Sequence, residues 1–391
     1  MKLVVIGLGQ CGGRIADEFA RMNKRAQSQR GIEIVTGAFA VNTDVADLSG
    51  LRRIRPDYQH RILIGGRKTG GHGVGKINEL GAEVAKEDAD KVVDTITATK
   101  RFPETDAFLL IAGTAGGTGS GALPVMTQHI KERFTDKPVY SVAVLPFEHE
   151  EQTEERTIYN AATCLKSTYL VADAVIIVDN QRYLRKDSSI QTNLSYINTL
   201  IVEPFFNLLC AGEEEKTRYI GSKVLDAGDI IQTLAGWTTI GYSKSHLSLL
   251  RAFFEQTRNF KKKINVTQKG IQSMDEAVSR LSVRCKAADS RRALYLVSAP
   301  AKDMNIDLLK EIGVYLRTLA PKAIIRSGDY PRERGSLDIC LLLSELSDLA
   351  KIRNYFTKAI SLVSTIKKRQ EGIESDRIGI DVTLKDIPSL L

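Results

Sequence analysis

Residues 112–121 read Ala-Gly-Thr-Ala-Gly-Gly-Thr-Gly-Ser-Gly, and the rest of the chain is arranged around this stretch. The apolar residues 106–112 predict a buried strand before it, and residues 122–131 predict a helix after it. Glycines allow backbone N–H groups to crowd around oxygen atoms, and a helix N-terminus adds positive potential. Thr118 and Ser120 can add hydroxyl donors. A tight turn needs one or two glycines, whereas five lie between residues 113 and 121, so the stretch predicts a phosphate-binding loop.

The composition is typical of a soluble globular protein with two or three domains. The chain has 391 residues, of which 43% are hydrophobic and 26% are charged. The formal net charge of +8 permits weak, salt-sensitive contact with nucleic acid or anionic lipid. The basic residues are spread along the chain and only 6% of residues are aromatic, so no specific nucleic-acid partner is expected. Five scattered cysteines suit a reducing compartment, and no window approaches the length of a membrane span, so a cytoplasmic location is predicted.

Two further glycine-rich loops follow predicted strands. Gly7, Gly9 and Gly12 fit the dinucleotide-binding fingerprint, which also requires an acid about twenty residues later. Asp44 comes later than that, although an insertion could explain the delay, so a dinucleotide-dependent oxidoreductase is an alternative. Residues 65–75 form the third loop, which carries two cations and is either a phosphate lid or a flexible surface loop.

Alternating strands and helices with glycine turns at strand ends predict an α/β fold with a doubly wound parallel sheet. We assign residues 1–187 to this nucleotide-binding domain, with one long helix over residues 76–99. An apolar pattern at helical spacing predicts a long central helix within residues 188–215. Residues 216–370 predict a smaller α+β domain, and residues 371–391 a C-terminal tail.

Asp226 and Asp229 are the candidate acids of the second half. Their spacing places both carboxylates on one face of a helix. They can activate water or bind a cation, or they can cap the following helix.

Several of these motifs together resemble the tubulin/FtsZ superfamily, and most closely the archaeal CetZ tubulin-like proteins. Residues 115–121 match its G-G-G-T-G-S-G signature, except that Ala115 replaces the first glycine. Residues 9–12, 41–48, 70–83 and 236–242 also resemble family motifs, in the family's order. This ordered set favours the superfamily over the dinucleotide interpretation.

The resemblance implies GTP or GDP as the ligand, with Mg²⁺ beside Gln10. The implied phosphate contacts come from the first loop, residues 7–13, and from residues 112–121, which we call the fourth loop. Asn42, Thr43 and Asp44 reach the phosphate and sugar side. Asn180 and Asn198 match positions that contact the guanine base, with Tyr196 stacking on it. The remaining implied contacts, for phosphate, ribose or both, are Gly9, Gln10, Cys11, Gly12, Gly71, Ala115, Gly116, Gly117, Thr118, Gly119, Ser120, Glu150, Glu155 and Arg156.

By the same resemblance, the protein is a cytoskeletal GTPase related to cell shape or division. It assembles head to tail with copies of itself, and Asp226 and Asp229 complete the neighbour's site to hydrolyse GTP. Val224 stands where FtsZ has an asparagine, so this acid loop is not the FtsZ version. A membrane or cytoskeletal adaptor is a further implied partner. The alternatives are a plasmid-partition filament GTPase and a GTP-binding scaffold without hydrolysis.

Overall fold

A parallel sheet forms the first half of the molecule. The computed structural model describes residues 1–184, 189–246, 259–333 and 335–362. Six strands lie side by side in the order β3-β2-β1-β4-β5-β6, all parallel, which confirms the predicted doubly wound sheet. They are β1 (Leu3–Leu8), β2 (Val35–Asn42), β3 (Arg61–Leu63), β4 (Ala107–Gly113), β5 (Val139–Leu145) and β6 (Ala174–Asp179).

Helices cover both faces of this sheet, because its strands are almost entirely apolar and both sides must be buried. They are α1 (Gly9–Arg30), α2 (Val45–Ser49), α3 (Gly66–Thr69), α4 (Asn78–Glu87), α5 (Ala89–Thr97), α6 (Thr118–Arg133), α7 (Glu148–Thr153) and α8 (Glu155–Val171). The single long helix predicted over residues 76–99 is wrong, since α4 and α5 are separate. They divide at Asp88, which lies between them and whose carboxylate accepts a hydrogen bond from the Gly65 N–H at 2.6 Å.

The predicted central helix is α9 (Ile190–Gly212), which runs through Pro204 without ending. It packs against α1, and Phe19 of α1 meets Phe205 with ring centroids 6.0 Å apart. Contrary to the expectation from the sequence, Thr192–Gly212 is long and apolar enough to cross a membrane. However, 61% of that segment is buried inside the structure, as in the core helix of a globular protein.

The second half contains a mixed sheet packed with helices, which agrees with the predicted α+β class. Its elements are α10 (Ala227–Thr233), β7 (Gly236–His246), α11 (Asn259–Ser279), β8 (Arg292–Ala299), α12 (Ile306–Leu319), β9 (Ile324–Pro331), β10 (Ser336–Ser344) and α13, which covers residues 350–362. β7 starts parallel to β6 and then pairs antiparallel with β10, so one continuous ten-stranded sheet crosses both halves. The tail at residues 371–391 lies outside the described residues.

Candidate nucleotide-binding site

A cavity of about 530 Å³ opens at the carboxyl ends of β1, β4, β5 and β6. Ligands of doubly wound sheets bind at this edge. Thirteen of the predicted binding residues line it: Gly9, Gln10, Cys11, Asn42, Asp44, Ala115, Gly116, Gly117, Thr118, Gly119, Glu150, Asn180 and Asn198. Sequence analysis did not predict the lining residues Arg14, Asp47, Gly73, Lys76, Phe147, His149, Leu184, Asn193 and Leu194.

Two glycine loops meet backbone to backbone on the floor of the cavity. A Cβ on Gly9 would lie 2.9 Å from the Gly119 nitrogen, and one on Gly12 would lie 2.0 Å from the Ile111 oxygen. Side chains are therefore excluded between the first and fourth loops. At Gly116, by contrast, a Cβ would meet nothing within 4 Å. This part of the loop presents backbone to open space, as a phosphate cradle must.

Ala115, the departure from the family signature, causes no backbone strain. Among the described non-glycine residues, positive φ angles occur at Lys76 and Glu345. Ala115 therefore keeps a conformation that any residue adopts, and its N–H remains in the loop.

The hydroxyls of the fourth loop hold the loop itself. Ser120 donates to the Gly116 oxygen and does not line the cavity. The Thr118 and Thr43 hydroxyl oxygens are 2.6 Å apart. Thr43 does not line the cavity, so it supports the lining residue Thr118 from behind. The sequence predicted these groups as ligand donors. In the structure the Ser120 hydroxyl bonds within its own loop, and the Thr118 hydroxyl joins that loop to Thr43.

Asn160 of α8 is a structural residue that sequence reasoning missed. It is fully buried, and its Nδ2 lies 2.9 Å from the Lys76 oxygen, 3.1 Å from the Ala115 oxygen and 3.2 Å from the Gly116 oxygen. One amide thus ties the third loop to the fourth. A lone asparagine inside a helix carries no spacing signal that would have found it.

Amide and carboxylate groups line one side of the cavity. Gln10 Nε2 donates to Asp47 Oδ1 at 2.6 Å, and Asn42 Nδ2 donates to Asp47 Oδ2 at 3.0 Å. Asp44 caps α2 by accepting the Asp47 N–H. The Gln10 amide oxygen and the Asp44 carboxylate are hard oxygen donors, which suit Mg²⁺. Within the described residues no cluster of three or more His, Cys, Asp or Glu could hold a metal unaided. The residues therefore fit a Mg²⁺ ion that takes most of its ligands from phosphate and water.

Cys11 lines the same cavity but is not a nucleophile. Burial, and then the nearby Glu150 carboxylate, raise the pKa of its thiol to about 12. A thiol with that pKa stays protonated at neutral pH.

Six predicted residues besides Thr43 lie outside the cavity lining: Gly12, Gly71, Ser120, Glu155, Arg156 and Tyr196. Arg156 Nε donates to the Lys76 oxygen at 3.0 Å, and its guanidinium pairs with Glu79. Gly71 supports the loop from behind, where its oxygen accepts the Val45 N–H at 3.0 Å. Tyr196 lines a neighbouring cavity with Tyr183 and Tyr242, which shares Leu184 with the nucleotide cavity, so its stacking on a base stays a prediction.

The two candidate acids lie far from this cavity. Asp226 caps α10, since its Oδ1 accepts the Asp229 N–H at 2.8 Å, and Asp229 pairs with Arg326 Nε at 3.3 Å. A Cβ on Gly212, the last residue of α9, would lie 2.7 Å from the Leu225 oxygen. Asn198 and Gly212 are separated by about 21 Å of helix, because a helix rises about 1.5 Å per residue. The acids and the cavity therefore occupy opposite ends of α9.

The fold and the cavity define a two-domain protein with a nucleotide-binding fold. Residues 2–186 match the GTPase domain of the tubulin/FtsZ family, and residues 187–361 match the C-terminal domain of tubulin-like CetZ. The chain is 33% identical to tubulin-like protein CetZ1 of Haloferax volcanii over 385 residues, covering 94% of each chain.

Comparison with solved structures also finds CetZ proteins. The GDP-bound CetZ1 monomer of H. volcanii matches with a TM-score of 0.78 at 30% identity, over 92% of this chain and 99% of that one. The GTPγS-bound CetZ2 protofilament of the same organism matches with a TM-score of 0.80 at 27% identity, over 94% of this chain and 100% of that one. The chain belongs to the tubulin/FtsZ family and, within it, to the CetZ proteins.

Proposed function

We propose that this chain binds GTP or GDP in the 530 Å³ cavity and hydrolyses GTP when copies assemble head to tail. The observation that carries the proposal is the separation of two half-sites. One end of α9 has a glycine cradle and polar groups, and the other end has two carboxylates. Relatives with the same fold include a GDP-bound monomer and a GTPγS-bound protofilament, which supports both parts of the proposal.

Different residues of the cavity bind different parts of the nucleotide in this proposal. Backbone N–H groups around Gly9 and Gly116 bind the phosphate oxygens, and the N-termini of α1 and α6 add positive potential. Asn180 and Asn198 hold the base at the other end, where an amide offers both a donor and an acceptor to guanine. Gln10 and Asp44 lie where they would hold a Mg²⁺ ion, which supplies charge neutralisation at the phosphates when it is bound.

Hydrolysis requires a water molecule held in line with the γ-phosphate. No second molecule is needed for binding, but the acids of one subunit reach the phosphates only in a neighbour. We propose that Asp226 and Asp229 of that neighbour orient this water by accepting hydrogen bonds from it, and that one of the two carboxylates takes the proton the water loses on attack. The water oxygen then bonds to the γ-phosphorus while the bond to the bridging oxygen breaks, which gives GDP and phosphate.

The proposed cellular setting follows from the family. We propose a cytoplasmic filament related to cell shape or division, with further copies of the chain as the main partner. A scaffold that binds GTP without hydrolysing it is a second candidate. The specific observation in its favour is that Asp226 and Asp229 are already engaged by the α10 cap and by Arg326.

Sedimentation and phosphate release across a protein concentration series test the proposal. GTP should give sedimenting polymer, and turnover per subunit should rise with concentration. Asp226→Asn keeps a capping side chain but removes the charge, so it should bind GTP, assemble and release phosphate at least about tenfold more slowly. Glu311→Gln, on an exposed site of α12, is the matched control.

The outcomes separate the candidates. Polymer without phosphate release in the unmodified protein would support the scaffold. Turnover per subunit that is independent of concentration would contradict a site shared between subunits.

A further inference from the structure

A second cavity, of about 670 Å³, adjoins the nucleotide cavity. The two share Arg14, Leu194 and Asn198 in their walls. A third hollow of about 410 Å³ continues from the second one, and Arg21, Arg52 and Arg53 line both. Together these two hollows form a groove along α1 and the loop after α2, which we call the basic groove.

Among the described residues, two acids, Asp17 and Glu18, and six cations line the basic groove, the cations being Arg14, Arg21, Lys24, Arg25, Arg52 and Arg53. Arg21 is paired with Glu18 at 2.6 Å. Within the described part of the chain, no carboxylate lies within ion-pair distance of the other five side chains. The carboxylate of Asp17 instead accepts the backbone N–H groups of Arg52, Arg53 and Ile54, with the Arg53 contact at 2.7 Å. The backbone under the two arginines is therefore fixed, and their charges remain available to an anionic partner.

The groove's chemistry favours an acidic peptide over nucleic acid or a membrane. Among the described residues that line it, none is aromatic, so it offers no surface on which bases stack. It is concave, whereas a lipid surface requires a flat or convex face. Leu51 and Leu194 contribute apolar wall between the cations. A partner that alternates acids with aliphatic residues would satisfy both features.

The chain itself contains such a segment. Residues 371–391 carry five acids and two bases, interleaved with isoleucine, leucine and valine. α13 starts at the rim of the nucleotide cavity, where Lys351 Nζ lies 2.8 Å from Asp179 Oδ1. The 29 residues after Leu362 can span about 95 Å when extended, whereas a compact chain of this length has a radius of gyration of about 21 Å.

We propose that the acidic tail, residues 371–391, docks in the basic groove beside the nucleotide cavity. Hydrogen exchange of the full-length protein, followed by mass spectrometry, tests this at low ionic strength. Tail amides should exchange more slowly than in the double variant Arg52→Glu/Arg53→Glu, by about fivefold or more. Salt at 1 M should remove the difference, because it shortens the Debye length to about 3 Å.

Two matched variants make the test specific. Arg55→Glu changes an exposed arginine in the same loop that does not line the groove, and it should leave tail exchange unchanged. Adding Glu374→Lys and Asp376→Lys to the groove double variant reverses both charges and should restore protection. Unchanged exchange in β10 will show that the variants remain folded.

Three results would overturn the proposal. Tail exchange could be the same with and without the groove arginines, or Arg55→Glu could have an equal effect. The groove double variant could also lose retention on heparin or DNA while tail exchange stays unchanged, which would assign the groove to an external polyanion.

Discussion

Gly116 and Gly117 are adjacent, yet a side chain would meet open space at the first and packed atoms at the second. A Cβ on Gly117 would lie 2.5 Å from Val74 Cγ2 and 2.9 Å from the Ile77 nitrogen. A Cβ on Gly116 would enter the open cavity. Gly117 is therefore required by the packing of the third loop on the fourth, and Gly116 only by the space a ligand needs.

Alanine at these two positions should separate folding from binding. Gly116→Ala should lower GDP affinity by on the order of tenfold, or about 1.4 kcal/mol, with an unchanged melting temperature. Gly117→Ala should lower both the GDP affinity and the melting temperature, because the backbone of Lys76 and Ile77 must move to admit the methyl group. Calorimetric titration and thermal melts measure the two effects. Wild-type affinity in Gly116→Ala would contradict the phosphate cradle.

The cysteines should be inert in the folded protein. Burial raises the pKa of all five thiols to about 12, and Cys11 has the added effect of Glu150. A raised thiol pKa means that the reactive thiolate appears only as pH rises toward that value. At pH 8 we expect iodoacetamide to label native protein on the order of 10³-fold more slowly than a free thiol. Mass spectrometry should find five labels after unfolding in urea; rapid native labelling of Cys11 would show that its site opens.

The sequence predicted which residues lie together where glycines or asparagines follow strands, while their contacts with a nucleotide stay a prediction. Strand ends meet at one edge of the sheet, so Gly9, Gly116 and Asn180 had to come together. It did not find Asn160, whose role depends on which loop lies above α8. The Tyr196 side chain lines a neighbouring cavity. Its direction depends on how α9 is rotated about its axis, which residue spacing alone does not determine.

At the scale of elements, α13 connects the second domain to the nucleotide cavity. Lys351 Nζ lies 2.8 Å from Asp179 Oδ1 and 3.5 Å from Glu151 Oε1, and the Tyr355 hydroxyl donates to Glu151 at 2.5 Å. Asp179 precedes Asn180 and Glu151 follows Glu150, and both of those neighbours line the cavity. Ile352, Tyr355 and Ala359 of α13 are buried in a hydrophobic cluster that the second domain shares with β5, β6 and α8. Residues 350–362 therefore pack against the rest of the molecule.

Removing the Lys351 charge should loosen the base side of the cavity. Lys351→Met keeps the alkyl chain but leaves two partly buried carboxylates without their cation. We expect a loss of about 1–2 kcal/mol in unfolding free energy and about threefold to tenfold weaker GDP binding. Lys358→Met, on the exposed side of α13, should change neither. Equal effects of both variants in thermal melts and titrations would contradict a specific link.

The elements themselves were largely predictable, because apolar strands and glycine turns have strong local signals. The division between α4 and α5 was not. Gly81, the one glycine in residues 76–99, lies inside α4 without ending it, and the interruption comes instead at Asp88, whose carboxylate accepts a hydrogen bond from a distant loop. Tertiary contacts of this kind are absent from local patterns.

At the scale of the whole molecule, the proposed site exists only between subunits. A variant with a damaged cavity, such as Gly117→Ala, retains good acids, and Asp226→Asn retains a good cavity. In an equimolar mixture, some junctions combine one intact half-site from each variant. Phosphate release by the mixture should therefore exceed the average of the two variants alone.

The same mixture made with the double variant Gly117→Ala/Asp226→Asn in place of Gly117→Ala provides the control. It can pair an intact cavity only with damaged acids, so no recovery is expected. Activity no greater than the average in the first mixture would argue that each subunit works alone.

The strand β7 gives the molecule a mechanical property. Its start, from Gly236 to Thr238, is hydrogen-bonded to β6 of the nucleotide domain, and the rest of its length is paired with β10 of the second domain. A tensile force along a filament would act on each subunit at two points, the cavity end of the first domain and the acid end of the second. Hydrogen bonds at the β6–β7 junction would then be loaded side by side, in shear, together with the packing of α9. We therefore expect the subunit to behave as a stiff link, so that bending of a filament is concentrated at the contacts between subunits.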